Sequence, residues 1–370
     1  TNLIYAGAPP HMGPQEPVCE FVPPTDPVTA DLIYTEGTAS FNAFGDEGVF
    51  NVEGDVIVAV PGQDKFVHSL DGGDTWEQPQ QLPDIIASNN WGVNRILYDQ
   101  GWWYIFSLTP SEGLLHRTND YGITWEYVDL NRAQRSKGGE NGVTFRDGEL
   151  IHCASYVPFS INNFGLMRRD IPTATILQEI SFGVSGGPAF LANMNDGYFI
   201  VDNLARIRYV PNDMLSSSLW APPNLAQYQA SDTSLIGTAL LYSNTNGLLR
   251  WDESLGSGAN LPVEPSIGTL PANGQKNIRW NDAQQMWMFV HDDANDDLVW
   301  DTYSSSNVDG TAFTQAITLN LPVAQSRTDS DAADMFLRYS SNGNWYGFYR
   351  QSGTRRTVLI RFKYGEYVCQ

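Results

Sequence analysis

With 370 residues, 42% of them hydrophobic and 12% aromatic, and with 33 Gly and 21 Pro, the chain has material for a large core cut by many turns. A formal charge of −21 at pH 7 argues against a duplex-DNA partner, because such a surface repels phosphate rather than displacing its counterions. No apolar run nears the roughly 18 residues that a spanning helix needs, so no membrane insertion is expected.

Residues 1–30 carry Pro9, Pro10, Pro14, Pro17, Pro23, Pro24 and Pro27. That spacing forbids regular helix and favours an extended, partly polyproline-II arm, which either wraps along the domain's own surface or docks to a larger assembly. Residues 31–370 read as one domain. From Gly48 onward a unit recurs: an apolar strand, a tight polar turn, and a second aromatic-rich strand, followed by two more strands.

The first unit opens with Val49-Phe50-Asn51-Val52 and Asp55–Val60, the second with Arg95-Ile96-Leu97-Tyr98 and Trp102–Phe106. Further units start at Val143, Ala189, Thr238, Ile278 and Phe336, the one at Thr238 being faint. No segment has the apolar stripe of an amphipathic helix. Seven small sheets that cannot bury both faces alone pack around an axis, which predicts an all-β fold: a seven-bladed β-propeller of four-stranded antiparallel blades. The N- and C-terminal strands close it, with Asp31–Tyr34 available to complete the last blade.

Cys19, Cys153 and Cys369 are too few and too far apart for a metal cluster or a disulfide scaffold. Cys153 sits in an apolar strand as a core thiol. Cys19 and Cys369 lie near opposite ends of the chain, and closure of the ring makes their proximity plausible; whether they pair is left open. The chain calls for no metal and no cofactor, since His11, His68, His116 and His152 lack ligand spacing and His291-Asp292-Asp293 lacks a full calcium-loop signature.

Two stretches share one pattern, [S/T]-x-D-x-G-x-T-W: Ser69, Asp71, Gly73, Thr75 and Trp76, and then Thr118, Asp120, Gly122, Thr124 and Trp125, 49 positions later (120 − 71). Each residue has a folding task. The aspartates accept backbone N–H bonds, the glycines tolerate positive φ, the hydroxyls add bonds, and the tryptophans pack against the blade. At these residues the chain resembles the Asp-box, or bacterial neuraminidase repeat, of the sialidase-like propellers. That resemblance implies a turn lying away from the substrate face, and an enzyme with three arginines for a carboxylate, a Tyr–Glu pair and an acid/base Asp. This chain departs from the pattern, having no Arg before Arg95.

The segments leading into the innermost strands form the expected binding face. They supply Asn90, Trp91, Asn94 and Arg95, then Lys137, Glu140 and Asn141, then Asn277 and Arg279, and finally Arg338. Polar side chains with an aromatic suit a sugar or an anion; the same residues also suit a merely hydrated funnel. Were the protein an enzyme, Glu140 with Asp232 or Asp331 would be the catalytic acids.

The expected function is a non-enzymatic binding or structural propeller of a virion, such as a phage tail or spike, or of an extracellular surface, contacting glycans or protein subunits. The alternatives are a sialidase-like glycoside hydrolase or polysaccharide lyase acting at the axial funnel, and an assembly scaffold. A cytoplasmic location stays open.

Overall fold

The computed structural model describes residues 19–22, 24–35, 49–61, 65–83, 93–108, 113–128, 134–135, 142–156, 164–173, 175–182, 188–202, 206–220, 228–233, 238–243, 247–252, 261–262, 276–282, 284–292, 296–305, 313, 317–325, 336–352 and 356–369. Among these residues all regular structure is β. The strands are short, bounded by Gly, Asp and Asn, and rich in Val, Ile, Phe, Tyr and Trp, as a pleated surface buried on both sides requires.

Six blades form from consecutive strands: blade I (49–81), II (93–128), III (143–181), IV (188–220), V (228–262) and VI (276–320). The innermost strands lie side by side in chain order. The last three strands in the ring, Phe336–Tyr339, Trp345–Arg350 and Thr357–Phe362, do not complete a blade of their own; Asp31–Thr35 pairs antiparallel with Thr357–Phe362 to make a composite closing sheet between blade VI and blade I.

The expectation of seven like four-stranded antiparallel blades is therefore corrected: six blades, not seven, are built from consecutive strands, and the last repeat contributes three strands to a shared sheet. The blades are also not uniform. Gln134–Arg135 adds a fifth strand to blade III, and Val28–Thr29 adds one to blade VI by pairing in parallel with Ile317–Asn320. The faint unit expected to start at Thr238 begins one strand earlier: Tyr228–Thr233 is the innermost strand of blade V and Thr238–Ser243 the second.

Apolar clusters fill the gaps between neighbouring sheets rather than a single centre. Val58, Phe66, Ile96, Trp103 and Ile105 pack between blades I and II, and Met286, Met288, Trp300, Trp345 and Ile360 between blade VI and the closing sheet. Burying an aromatic or aliphatic side chain of this kind stabilises by about 1.5–3 kcal/mol, so the closing sheet is held by the same force as any blade.

Candidate functional site

The repeated motif resolves into two nearly superimposable hydrogen-bond sets. Ser69 Oγ donates to Asp71 Oδ1 at 2.8 Å and accepts from the Gly73 amide at 2.9 Å, while Asp71 accepts from the Thr75 amide at 2.8 Å and hydroxyl at 2.6 Å. In the second copy the corresponding distances are 2.7, 2.8, 2.9 and 2.6 Å, with Thr118, Asp120, Gly122 and Thr124 in the same parts. These bonds to the ionised form, those from Thr75 foremost, hold the Asp71 carboxyl down at about 2, and bonds from Thr124 lower that of Asp120.

The glycines sit at φ +96° and +88°, and each faces a side chain of the preceding sheet: a Cβ would lie 2.8 Å from Ile33 Cδ1 at Gly73 and 2.9 Å from Phe66 Cδ1 at Gly122. The tryptophans reach the same way. Trp76 Nε1 donates to the Ile33 carbonyl at 2.7 Å, and the Trp125 ring stands edge-on to Phe66 at 5.1 Å. The hydroxyl and carboxylate groups of both copies and the Trp76 indole N–H are thus committed to the turn or to the neighbouring sheet; Trp125 Nε1 is the exception, buried without a hydrogen-bond partner.

A cavity of about 370 Å³ lies on the axis and is lined by Arg95, Arg279 and Arg338, together with Phe190, Leu191, Ala192, Trp280, Asn281, Asp282, Tyr339 and Ser341. The three arginines come from three different innermost strands, Val93–Asp99, Lys276–Asn281 and Phe336–Tyr339. In the first of these the register shifts between Val93 and Arg95, a bulge at Asn94 that reorients the side chain after it. In the other two, backbone carbonyls fix the guanidinium groups. Arg279 Nε donates to the Leu337 carbonyl at 2.9 Å and its Nη1 to the Ile278 carbonyl at 3.1 Å, and Arg338 Nη1 donates to the same Leu337 carbonyl at 3.0 Å.

Among the described lining residues there are three guanidinium groups and one carboxylate, that of Asp282, on a chain that carries −21 overall. Asp282 is itself held, accepting from Trp280 Nε1 at 3.3 Å. Arginine is the side chain best shaped for a carboxylate, sulfate or phosphate, presenting paired N–H donors at fixed geometry. The rings of Trp280 and Tyr339 add apolar surface beside those donors.

Of the residues expected at the binding face, Arg95, Arg279 and Arg338 come together here. Asn277 is buried in the same strand as Arg279 but does not line the cavity. Asn94 and Asp232 are placed by their backbone only, within Val93–Asp99 and Tyr228–Thr233. Asn90, Trp91, Lys137, Glu140, Asn141 and Asp331 lie outside the described residues.

Asp282 and Ser341 belong to the turns that follow the innermost strands, and the repeated turn meets that same end, where the Gly72 amide donates to the Asp55 carbonyl at 2.8 Å. Among the described residues the cavity lining therefore extends to the hairpin end of the axis; the segments leading into the innermost strands lie outside the described residues. Trp280, Asn281 and Tyr339 line the cavity without standing out in the sequence, because an aromatic or amide in an apolar strand reads as core; the signal for Asn281 is its place two residues from Arg279, on the same face of the strand.

No family model and no curated protein sequence matches the chain. Solved structures do match its fold. A crystal structure of BBS1N in complex with ARL6DN is similar with a TM-score of 0.57 at 9% identity, covering 90% of this chain and 97% of that one. YCF48 bound to D1 peptide is similar with a TM-score of 0.56 at 12% identity, over 93% and 98%. The WD40 β-propeller domain of Doa1 gives 0.55 at 11% identity, over 90% and 96%. At such identities the likeness shows a β-propeller and nothing finer.

Proposed function

We propose that this chain is a non-catalytic recognition propeller whose axial cavity holds the acidic group of a glycan. The observation that carries this reading is the convergence of Arg95, Arg279 and Arg338, from three separate strands, on one cavity with Trp280 and Tyr339 beside them. Guanidinium groups held by backbone carbonyls are ordered before a ligand arrives, so little freedom is lost on binding. The aromatic rings suit the C–H face of a sugar. The repeated turns act as scaffold of the Asp-box type, and the setting in which such a module meets acidic glycans is a virion surface, such as a phage tail or spike, or an extracellular one.

The test is binding of the purified chain to a panel of carboxylated, sulfated and neutral glycans. Acidic members bind, neutral ones of the same length do not, and Arg279→Ala with Arg338→Ala reduces binding at least tenfold while leaving the thermal unfolding midpoint within a few degrees. Equal binding of neutral glycans, or none of any class, overturns the reading. Release of product from an acidic fluorogenic glycoside would favour the hydrolase instead.

A second reading is favoured by the neighbours: the BBS1N structure is a complex with ARL6DN and the YCF48 structure holds D1 peptide. In that reading the same cavity takes an acidic side chain or a C-terminal carboxylate of a protein subunit, and acidic peptides in place of glycans give the positive result.

A further inference from the structure

Outside the ring of blades, Cys19–Val22 and Glu366–Cys369 form a separate two-stranded antiparallel sheet. Its register places Cys19 opposite Cys369, then Glu20 opposite Val368, Phe21 opposite Tyr367 and Val22 opposite Glu366. The only two cysteines near the chain ends, 350 positions apart (369 − 19), thus occupy directly opposed positions. Directly opposed residues of an antiparallel pair have Cα atoms about 4.5–5.5 Å apart, and disulfides span Cα separations of about 4.4–6.8 Å. Opposed positions also project to the same face of the ribbon.

An isolated two-stranded ribbon is marginal in water, and this one joins segments that immediately flank the closing sheet. Val22 precedes Asp31–Thr35 by nine positions (31 − 22), with Val28–Thr29 between them, and Glu366 follows Thr357–Phe362 by four (366 − 362). The third cysteine stands apart, fully buried in blade III, with burial pushing its thiol far above the ordinary range. It is neither accessible nor nucleophilic.

We propose that Cys19 and Cys369 form a disulfide that covalently locks the two ends of the chain beside the closing sheet. Formation removes one proton from each thiol and two electrons from the pair, creating the S–S bond; the acceptor is a disulfide such as that of an oxidised dithiol oxidoreductase or glutathione disulfide, which is cleaved to two thiols. The lock then belongs to an oxidising compartment.

The experiment uses the full chain, equilibrated in its native state with glutathione disulfide, then denatured and labelled with a maleimide. One label per chain is expected, against three after reduction, and peptide mapping without reductant is expected to recover the Cys19 segment joined to the Cys369 segment. Reduction is expected to lower the thermal midpoint of the native chain but not of Cys19→Ser or Cys369→Ser, each of which takes up two labels at most. Three labels after oxidation, a joined peptide containing Cys153, or an equal fall in midpoint for the serine variants overturns the proposal. Peptide mapping is done on the native sequence, so it decides the matter even where a serine variant fails to fold.

Discussion

Gly73 and Gly101 have similar positive φ angles, +96° and +85°, yet they face different surroundings. A Cβ at Gly101 meets nothing within 4 Å, so Gly101→Ala carries only the conformational penalty of a left-handed residue, about 1 kcal/mol. A Cβ at Gly73 meets three atoms of Ile33 in the closing strand, at 2.8, 3.1 and 3.4 Å. Gly73→Ala is therefore expected to cost roughly twice as much or more, and urea denaturation of the two variants measures the difference. Equal losses would mean that the closing strand yields freely.

Titration of buried imidazoles is a second residue-scale effect. Burial pushes His116 down to about 4 and His152 to about 3, the latter also because the Arg169 guanidinium lies beside it and donates to its Nε2 at 3.0 Å. In the unfolded chain each titrates near 6.5. Below that pH the unfolded state takes up protons that the folded state refuses, so stability is full above pH 6.5 and falls as pH drops toward 4 and then 3. His116→Phe keeps a ring beside Tyr127, 5.1 Å away in the native protein, and removes one such proton. Its stability at pH 4 relative to pH 7 is expected to improve on that of the native chain by up to about 3 kcal/mol; an unchanged pH slope would contradict the assignment.

At the scale of elements, the two motif turns are copies in hydrogen bonding but not in how their tryptophans are satisfied. Trp76 donates to the Ile33 carbonyl, while Trp125 Nε1 is buried without a hydrogen-bond partner. Trp76→Phe leaves that carbonyl unpaired and is expected to cost about 1 kcal/mol more than Trp125→Phe, read from denaturation midpoints. These turns were legible because each residue type has one stereochemical task. The short strands Val28–Thr29 and Gln134–Arg135 were not, because two residues carry no alternation and their pairing partners are set by tertiary packing. Arg279 and Arg338 stood out as charges inside apolar runs, so their convergence was readable in outline. Which end of the axis they reach depends on side-chain direction within a strand, and that needs coordinates.

For the whole molecule, the composite sheet makes closure depend on residues from both ends of the chain. Tyr346, Phe348 and Leu359 of the closing sheet pack with Phe50, Ile57 and Val67 of blade I, with Ile33 and Tyr34 at the edge of the same cluster. Removing residues 1–35 strips the outer strand from Thr357–Phe362 and exposes an unpaired, largely apolar edge. Such an edge pairs with whatever strand is available. The truncated chain is expected to self-associate, visible as a concentration-dependent mass by light scattering. A synthetic peptide of residues 19–35, which restores both Asp31–Thr35 and the ribbon strand Cys19–Val22, is expected to return it to the native mass. If the truncated chain stays at native mass without the peptide, the closing sheet does not need its N-terminal strand, and interblade packing alone holds the ring.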